Sequence, residues 1–187
     1  YGYYGAESRF GESMLEMMEA VDKSDSGQFV EDEILDPKGW VLLNFLMDAR
    51  TGLGRFKDFR ISNYDLMMRL IDFCAEHSVD EILDLADVKE RVDLYLAHQD
   101  KAKEQIKRRT TVHGNLAILD LREEETIFAT NRFMIYALFP ECNISVHVLW
   151  GKQKQNTVFA VGKSILDRGS RTDIGELMLT FGGGGHV

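Results

Sequence analysis

Apolar residues recur at helical spacing through the first half of the chain. In ESMLEMMEAV, Met14, Leu15, Met18 and Val21 fall on one side and the glutamates on the other, which predicts a surface helix. Asp36-Pro37 offers a helix start with proline in the first turn. WVLLNFLMDA then reads as a mostly buried helix that ends near Thr51-Gly52 and carries Asp48 out at its end. Ser62 is placed to cap a further helix with Leu66, Met67, Leu70, Ile71 and Cys74 as its apolar stripe. From Val79 to Arg109 there is neither proline nor glycine, charge is dense, and Leu83, Val88, Val92, Leu96 and Ile106 are the sparse apolar positions. A short helix followed by a long one is expected there.

Near residue 110 the period changes. NLAILDL, NISVHVLW and NTVFAVGKS have the length and the β-branched or aromatic content of strands, with Gly, Asn or Pro close by. NRFMIYALF, between the first two, reads as helical. So does DIGELMLTF, with Asp173 as cap and Ile174, Leu177, Met178 and Phe181 at i, i+3, i+4 and i+7. The fold class expected is α/β to α+β: a helical part over residues 1–78, a connecting helix over 79–109, and a small mixed-sheet α+β part over 110–187.

Composition adds limits. At 44% hydrophobic and 28% charged, with two prolines in 187 residues, the chain has a globular rather than a disordered make-up. No apolar run approaches the roughly 18 residues of a membrane span, and Tyr1 does not open a basic, apolar signal segment. A cytoplasmic protein without membrane contact is therefore expected. Cys74 and Cys142 lack C-x-x-C spacing and read as free thiols. The net charge of -9 is uneven, at -12 over the first 100 residues and +3 over the rest. Such a split suits a metal-dependent enzyme acting on phosphate esters, although most of these carboxylates belong on solvated helix faces.

The candidate chemistry lies at the end of the chain, in LTFGGGGHV. Gly182, Gly183, Gly184 and Gly185 lack Cβ atoms, so their amides are able to converge on an anion, and His186 would donate a hydrogen bond or a proton beside it. A flexible tail is the plain alternative.

The segment resembles the C-terminal associated domain of the DHH-family phosphoesterases, which carries a G-G-G-H signature after a helix. The family has an arginine in an S-x-R segment about fourteen residues before its glycines, and Arg168 stands fourteen before Gly182. The serine position is Leu166 here, with Lys163 and Ser164 as nearby substitutes. FLMDARTGLGRFKDFRISN resembles the fourth motif of the catalytic domain, in which an aspartate before a T-G segment is a metal ligand. Asp48, Thr51 and Gly52 occupy that pattern. NTVFAVGKSI with GELMLTFGGGGH looks most like the exopolyphosphatase-related branch.

The resemblance runs from about Ala20 to Val187 and implies that residues 1–78 are the rear part of a DHH catalytic domain and 110–187 the associated domain. It further implies Mn²⁺- or Mg²⁺-dependent hydrolysis, with Asp48 on the metal and His186 catalytic. Arg168, Ser164, Lys163 and Gly182 to Gly185 would hold the substrate. The partners implied are a phosphate-containing small molecule or short oligonucleotide, with a homodimer left open. No D-H-H triplet occurs in the sequence, so a back portion of a longer enzyme, inactive alone, is expected. His77, His98, His113 and His147 read as structural. A non-catalytic phosphate- or nucleotide-binding module is the alternative. A single-strand nucleic-acid grip is weaker, because KRRT at 107–110 is the sole basic run.

Overall fold

The computed structural model describes residues 12–56 and 58–185. They divide into two units: one up to Gln99 together with Ala129–Asn131, the other Asp100–Phe128 and Arg132 onward. The division falls inside the long helix, ten residues before the boundary expected at its end.

The first unit is helical, with α1 Glu12–Ser26, α2 Glu31–Leu35, α3 Gly39–Met47, α4 Asn63–Glu76, α5 Val79–Asp84 and the start of α6 Ala86–Arg109. Its boundaries follow from local polar chemistry. Ser62 Oγ accepts the Asp65 amide at the start of α4, and Ser78 and Glu81 satisfy each other's amides at the start of α5. Leu42, Leu43, Leu46, Leu53, Leu66 and Leu70 are core residues. The stripe expected on α4 is only half buried: Met67 and Ile71 are 50% and 63% exposed. With Met14, Trp40, Leu70 and Cys74 they line an open apolar groove of about 400 Å³ beside α1 and α3.

The long helix turns a mostly polar face inward. Arg91, Tyr95, His98, Gln99, Ala102 and Gln105 are buried, whereas Leu96 is 49% exposed. Arg91 is fully buried and each of its nitrogens has a partner. Nε donates to Asn63 Oδ1 at 2.8 Å, Nη2 to the Ile61 carbonyl at 2.7 Å, and Nη1 to the Asp87 carbonyl and to Glu90, while the guanidinium lies over the Phe59 ring.

The second unit continues from α6 into β1 Thr110–His113, then β2 Leu116–Asp120, α7 Met134–Leu138, β3 Ile144–Trp150, β4 Thr157–Lys163 and α8 Ile174–Thr180. The mixed-sheet α+β architecture expected for this part is the one found. The sheet order is β1-β2-β3-β4, with β2 and β3 parallel and the outer pairs antiparallel. The parallel pair needs a crossover, which α7 supplies by burying Met134, Ile135 and Tyr136. β1 is a strand that the sequence pattern did not single out, and a Gly114 turn at φ +61 folds it back on β2. The end of α6 is fixed by Glu124, which accepts Gln105 Nε2 at 2.6 Å and pairs with Arg108 and Arg109. These contacts hold its carboxyl at about 2.

His147 lies on β3 between Leu119 and Ala160, and burial pushes its pKa down from 6.5 to about 4. The unfolded chain takes up a proton near pH 6.5 that the folded chain refuses until about pH 4. Between those values the unfolded state binds more protons, so stability falls as the pH drops through them. The expected loss at the acid end is about 3 kcal/mol. Urea midpoints measured from neutral pH down to about 4 should show this slope in the parent and a flatter one in His147→Gln.

Among the described residues no helix is long and apolar enough to cross a membrane. Cys74 and Cys142 are free thiols, as expected.

Candidate functional site

In the first unit the candidate residues sit on a double turn after α3. The helix stops at Met47, earlier than its apolar run suggests, because Asp48 adopts extended dihedrals and caps a 3₁₀ turn over Ala49–Thr51. Asp48 Oδ1 accepts the Arg50 amide at 2.9 Å and Arg50 Nε at 2.8 Å. Thr51 is buried and donates from Oγ1 to the Phe45 carbonyl at 2.6 Å, which ties the turn to the helix it leaves. Gly52, at φ +85, ends the first turn and begins the second, Leu53–Arg55. The T-G segment thus shapes the turn that carries Asp48.

A three-residue strap from far along the chain holds this turn. Thr130 N donates to the Thr51 carbonyl at 3.2 Å, Ala129 N to His98 Nδ1 at 3.1 Å, and Asn131 Nδ2 to the Ile34 carbonyl at 2.9 Å and Tyr95 Oη at 3.2 Å. His98 Nδ1 is therefore an acceptor in a buried network, in keeping with the structural role expected of it. Asn131 and Tyr95 carry no signal in the sequence that would have marked them.

Asp48 has the chemistry of a ligand for a hard divalent cation, and the turn presents it at a helix end. As a set the residues fall short: among the described ones no group of three His, Cys, Asp or Glu side chains is placed to hold a metal ion. Among the described residues Asp48 is the candidate donor on this turn.

In the second unit Lys163 ends β4 and is exposed, and Ser164 opens the loop that carries Arg168. Ser164, expected to bind substrate, has a bonding role within its own loop. It is buried, and its Oγ accepts the amides of Leu166 at 3.1 Å and Asp167 at 3.0 Å, so it shapes the loop. Asn143 braces the same loop through Asp167 Oδ2 at 3.0 Å and is itself held by Asn115 at 2.7 Å. These two asparagines stand just ahead of β3 and β2, where the sequence marks strand starts. Arg168 is exposed and folds its Nε toward the Ile165 carbonyl at 3.3 Å.

The glycine run also differs from a four-amide cradle. Gly182 N donates to the Leu179 carbonyl and Gly183 N to the Met178 carbonyl at 2.9 Å, with Gly182 in the left-handed region at φ +75. The first two glycines follow the Phe181 C-cap and close the end of α8 as a Schellman motif. The amides left for an anion are those of Gly184 and Gly185, where an added Cβ would meet nothing within 4 Å. The helix end bears partial negative charge, so it does not assist anion binding. His186 lies outside the described residues.

No protein-family model and no curated protein matches the chain. Among solved structures, the pGpG-specific phosphodiesterase PggH from Vibrio cholerae superposes with a TM-score of 0.87 at 65% sequence identity, over 99% of this chain and 62% of that one. The chain therefore spans about three fifths of the length of that protein. At this identity the chain is homologous to the aligned part of PggH and shares its fold.

Proposed function

We propose that this chain is part of a phosphodiesterase that hydrolyses the linear dinucleotide pGpG or a closely related short oligonucleotide. The observation that carries the reading is the 65% identity to PggH across 99% of the chain. The phosphoesterase class implied by the sequence motifs agrees with it, and a dinucleotide is a narrower substrate than those motifs could choose. In this reading Asp48 contributes one carboxylate to an Mn²⁺ or Mg²⁺ centre whose other ligands come from outside the described residues. The bound metal would activate water and neutralise phosphate charge. Arg168 and the amides of Gly184 and Gly185 bind phosphate oxygens. Ser164 and Asn143 hold the arginine loop in shape.

The test is product analysis with the intact protein, offered pGpG, inorganic polyphosphate and a longer oligonucleotide, each with Mn²⁺, with Mg²⁺ and after chelation. Fastest cleavage of pGpG that chelation abolishes supports the reading. Preference for polyphosphate would return the assignment to the exopolyphosphatase-related branch, and binding without cleavage would make the protein a nucleotide-binding module.

Gly184→Ala isolates the glycine contribution. The new Cβ meets no protein atom, so folding should be unchanged and any weakening of pGpG binding reports the approach of a ligand. Arg168→Ala is expected to weaken binding by about tenfold or more, because a charge-assisted bond to phosphate contributes roughly 1.5–3 kcal/mol. Titration calorimetry at two salt concentrations checks both variants.

A further inference from the structure

Arg55 closes the second of the two turns that share Gly52. Its guanidinium lies across the Cα of that glycine, where an added Cβ would sit 1.8 Å from Nη1 and 2.8 Å from Cζ. Gly52 is thus required twice, for its left-handed dihedral and for the space the arginine fills. In the same unit Arg50, Arg69 and Arg91 each meet a carboxylate. Among the described residues the Arg55 guanidinium meets none and donates no hydrogen bond. The residue is exposed overall, and the part of its side chain that packs on the main chain is desolvated enough to lower its pKa from the ordinary arginine value.

A guanidinium packed on the main chain and left without a counter-charge keeps its donors free for an anion from outside. It offers a planar fork that matches two oxygens of one phosphate, and the missing Cβ of Gly52 leaves room for it there. The turn that begins at Asp48 ends at Arg55, so carboxylate and fork are carried by one short, doubly turned segment.

We infer that Arg55 is a substrate-binding residue that grips a phosphate of the dinucleotide beside the Asp48 turn, an inference that rests on the phosphodiesterase reading above. The sequence motif contains this arginine in TGLGRF, where it drew no attention beside Asp48 and Thr51.

The experiment compares the intact wild-type protein with Arg55→Gln and Arg55→Lys. Three readouts are taken: melting temperature, its rise on adding inorganic phosphate, and kcat and KM for pGpG and for GpG, which lacks the terminal phosphate. Arg55→Gln should melt no lower than wild type, lose the phosphate-induced rise, and raise KM for pGpG by about ten- to a hundredfold. Arg55→Lys, which keeps the charge and loses the fork, should fall between. A KM penalty that persists with GpG places the fork on the linking phosphate, and one confined to pGpG places it on the terminal phosphate.

Arg55→Gln with wild-type KM and an undiminished phosphate response would overturn the inference while leaving the phosphodiesterase reading intact. A lower melting temperature with unchanged KM would show the arginine to be a structural brace and would overturn it too. If wild type does not cleave pGpG but the phosphate response is still lost in Arg55→Gln, the enzyme reading fails and the phosphate site at Arg55 stands.

Discussion

Replacing Asp48 by asparagine (Asp48→Asn) in the intact protein is expected to lower kcat for pGpG by about two orders of magnitude or more, since even outer-shell changes around a metal cost roughly 10–100-fold. The fold should survive. Asparagine keeps an oxygen able to accept the Arg50 amide, which is the contact that caps the first turn. What disappears is the negative charge, which balances Arg50 at 2.8 Å and, in the proposed function, serves a divalent cation. Kinetics, melting temperature and Mn²⁺ titration on the same preparation separate these roles. An unchanged melting temperature with a large fall in kcat and in metal affinity is the expected pattern. Wild-type kcat would reduce Asp48 to a helix-end cap.

The largest effect on stability is expected at Arg91, which has no part in the proposed chemistry. Arg91→Met should cost about 3–5 kcal/mol, the range for breaking a buried charged network by removing one member. The methionine fills much of the volume but leaves Asn63 Oδ1 and the carbonyls of Ile61 and Asp87 without their donor. Arg69 also pairs with an aspartate, Asp87, but its side chain is 57% exposed, so Arg69→Ala should cost no more than about 1 kcal/mol. Urea unfolding of the two variants side by side measures the contrast, and equal midpoints would refute the distinction between them.

How far the sequence could be read depended on what each element buries. α3 and α5 were legible because their inward faces are apolar; α5 also starts on the Ser78–Glu81 capping box, whereas α3 begins at Gly39, beyond the Asp36-Pro37 start expected, with no side-chain cap on Lys38. α6 was legible as a helix but not in its orientation. Its apolar positions were sparse because the inward face uses Arg91, Tyr95, His98 and Gln105, whose burial depends on partners that lie up to 36 residues away. α4 misled in the opposite sense, since Met67 and Ile71 fit a core stripe and face an open groove. β1 escaped notice because four residues at the end of a long helix have no period of their own, and its pairing with β2 decides its state.

At the candidate site the motif residues were found where a turn or loop presents them, but their roles were not all legible. Ser164 is the clearest case: a hydroxyl near an arginine suggests a ligand, and its burial against two loop amides is visible only once the loop is folded. The glycines show the same limit, because a run of four does not say which of its amides the preceding helix will use. The dinucleotide of the proposed function comes from the likeness to PggH, and no spacing in the chain encodes it.

The strap Ala129–Asn131 has a consequence for the order in which the protein is made. Tyr95, His98 and Thr51 all emerge from the ribosome at least 30 residues before their partners on the strap. Until Asn131 is translated, the Ile34 carbonyl and the Thr51 carbonyl have only water to bind, and the place of Ala129 among the core side chains is unfilled. The turn bearing Asp48 thus acquires its final restraint after β1 and β2 of the sheet unit have been made and before β3 and β4. Closing a loop of that length costs little more than closing a short one, so the delay is one of sequence order rather than of free energy. A nascent chain arrested near Gln99 would hold the helices without the stitch that steadies the Asp48 turn, which ties maturation of that turn to completion of a later stretch of polypeptide.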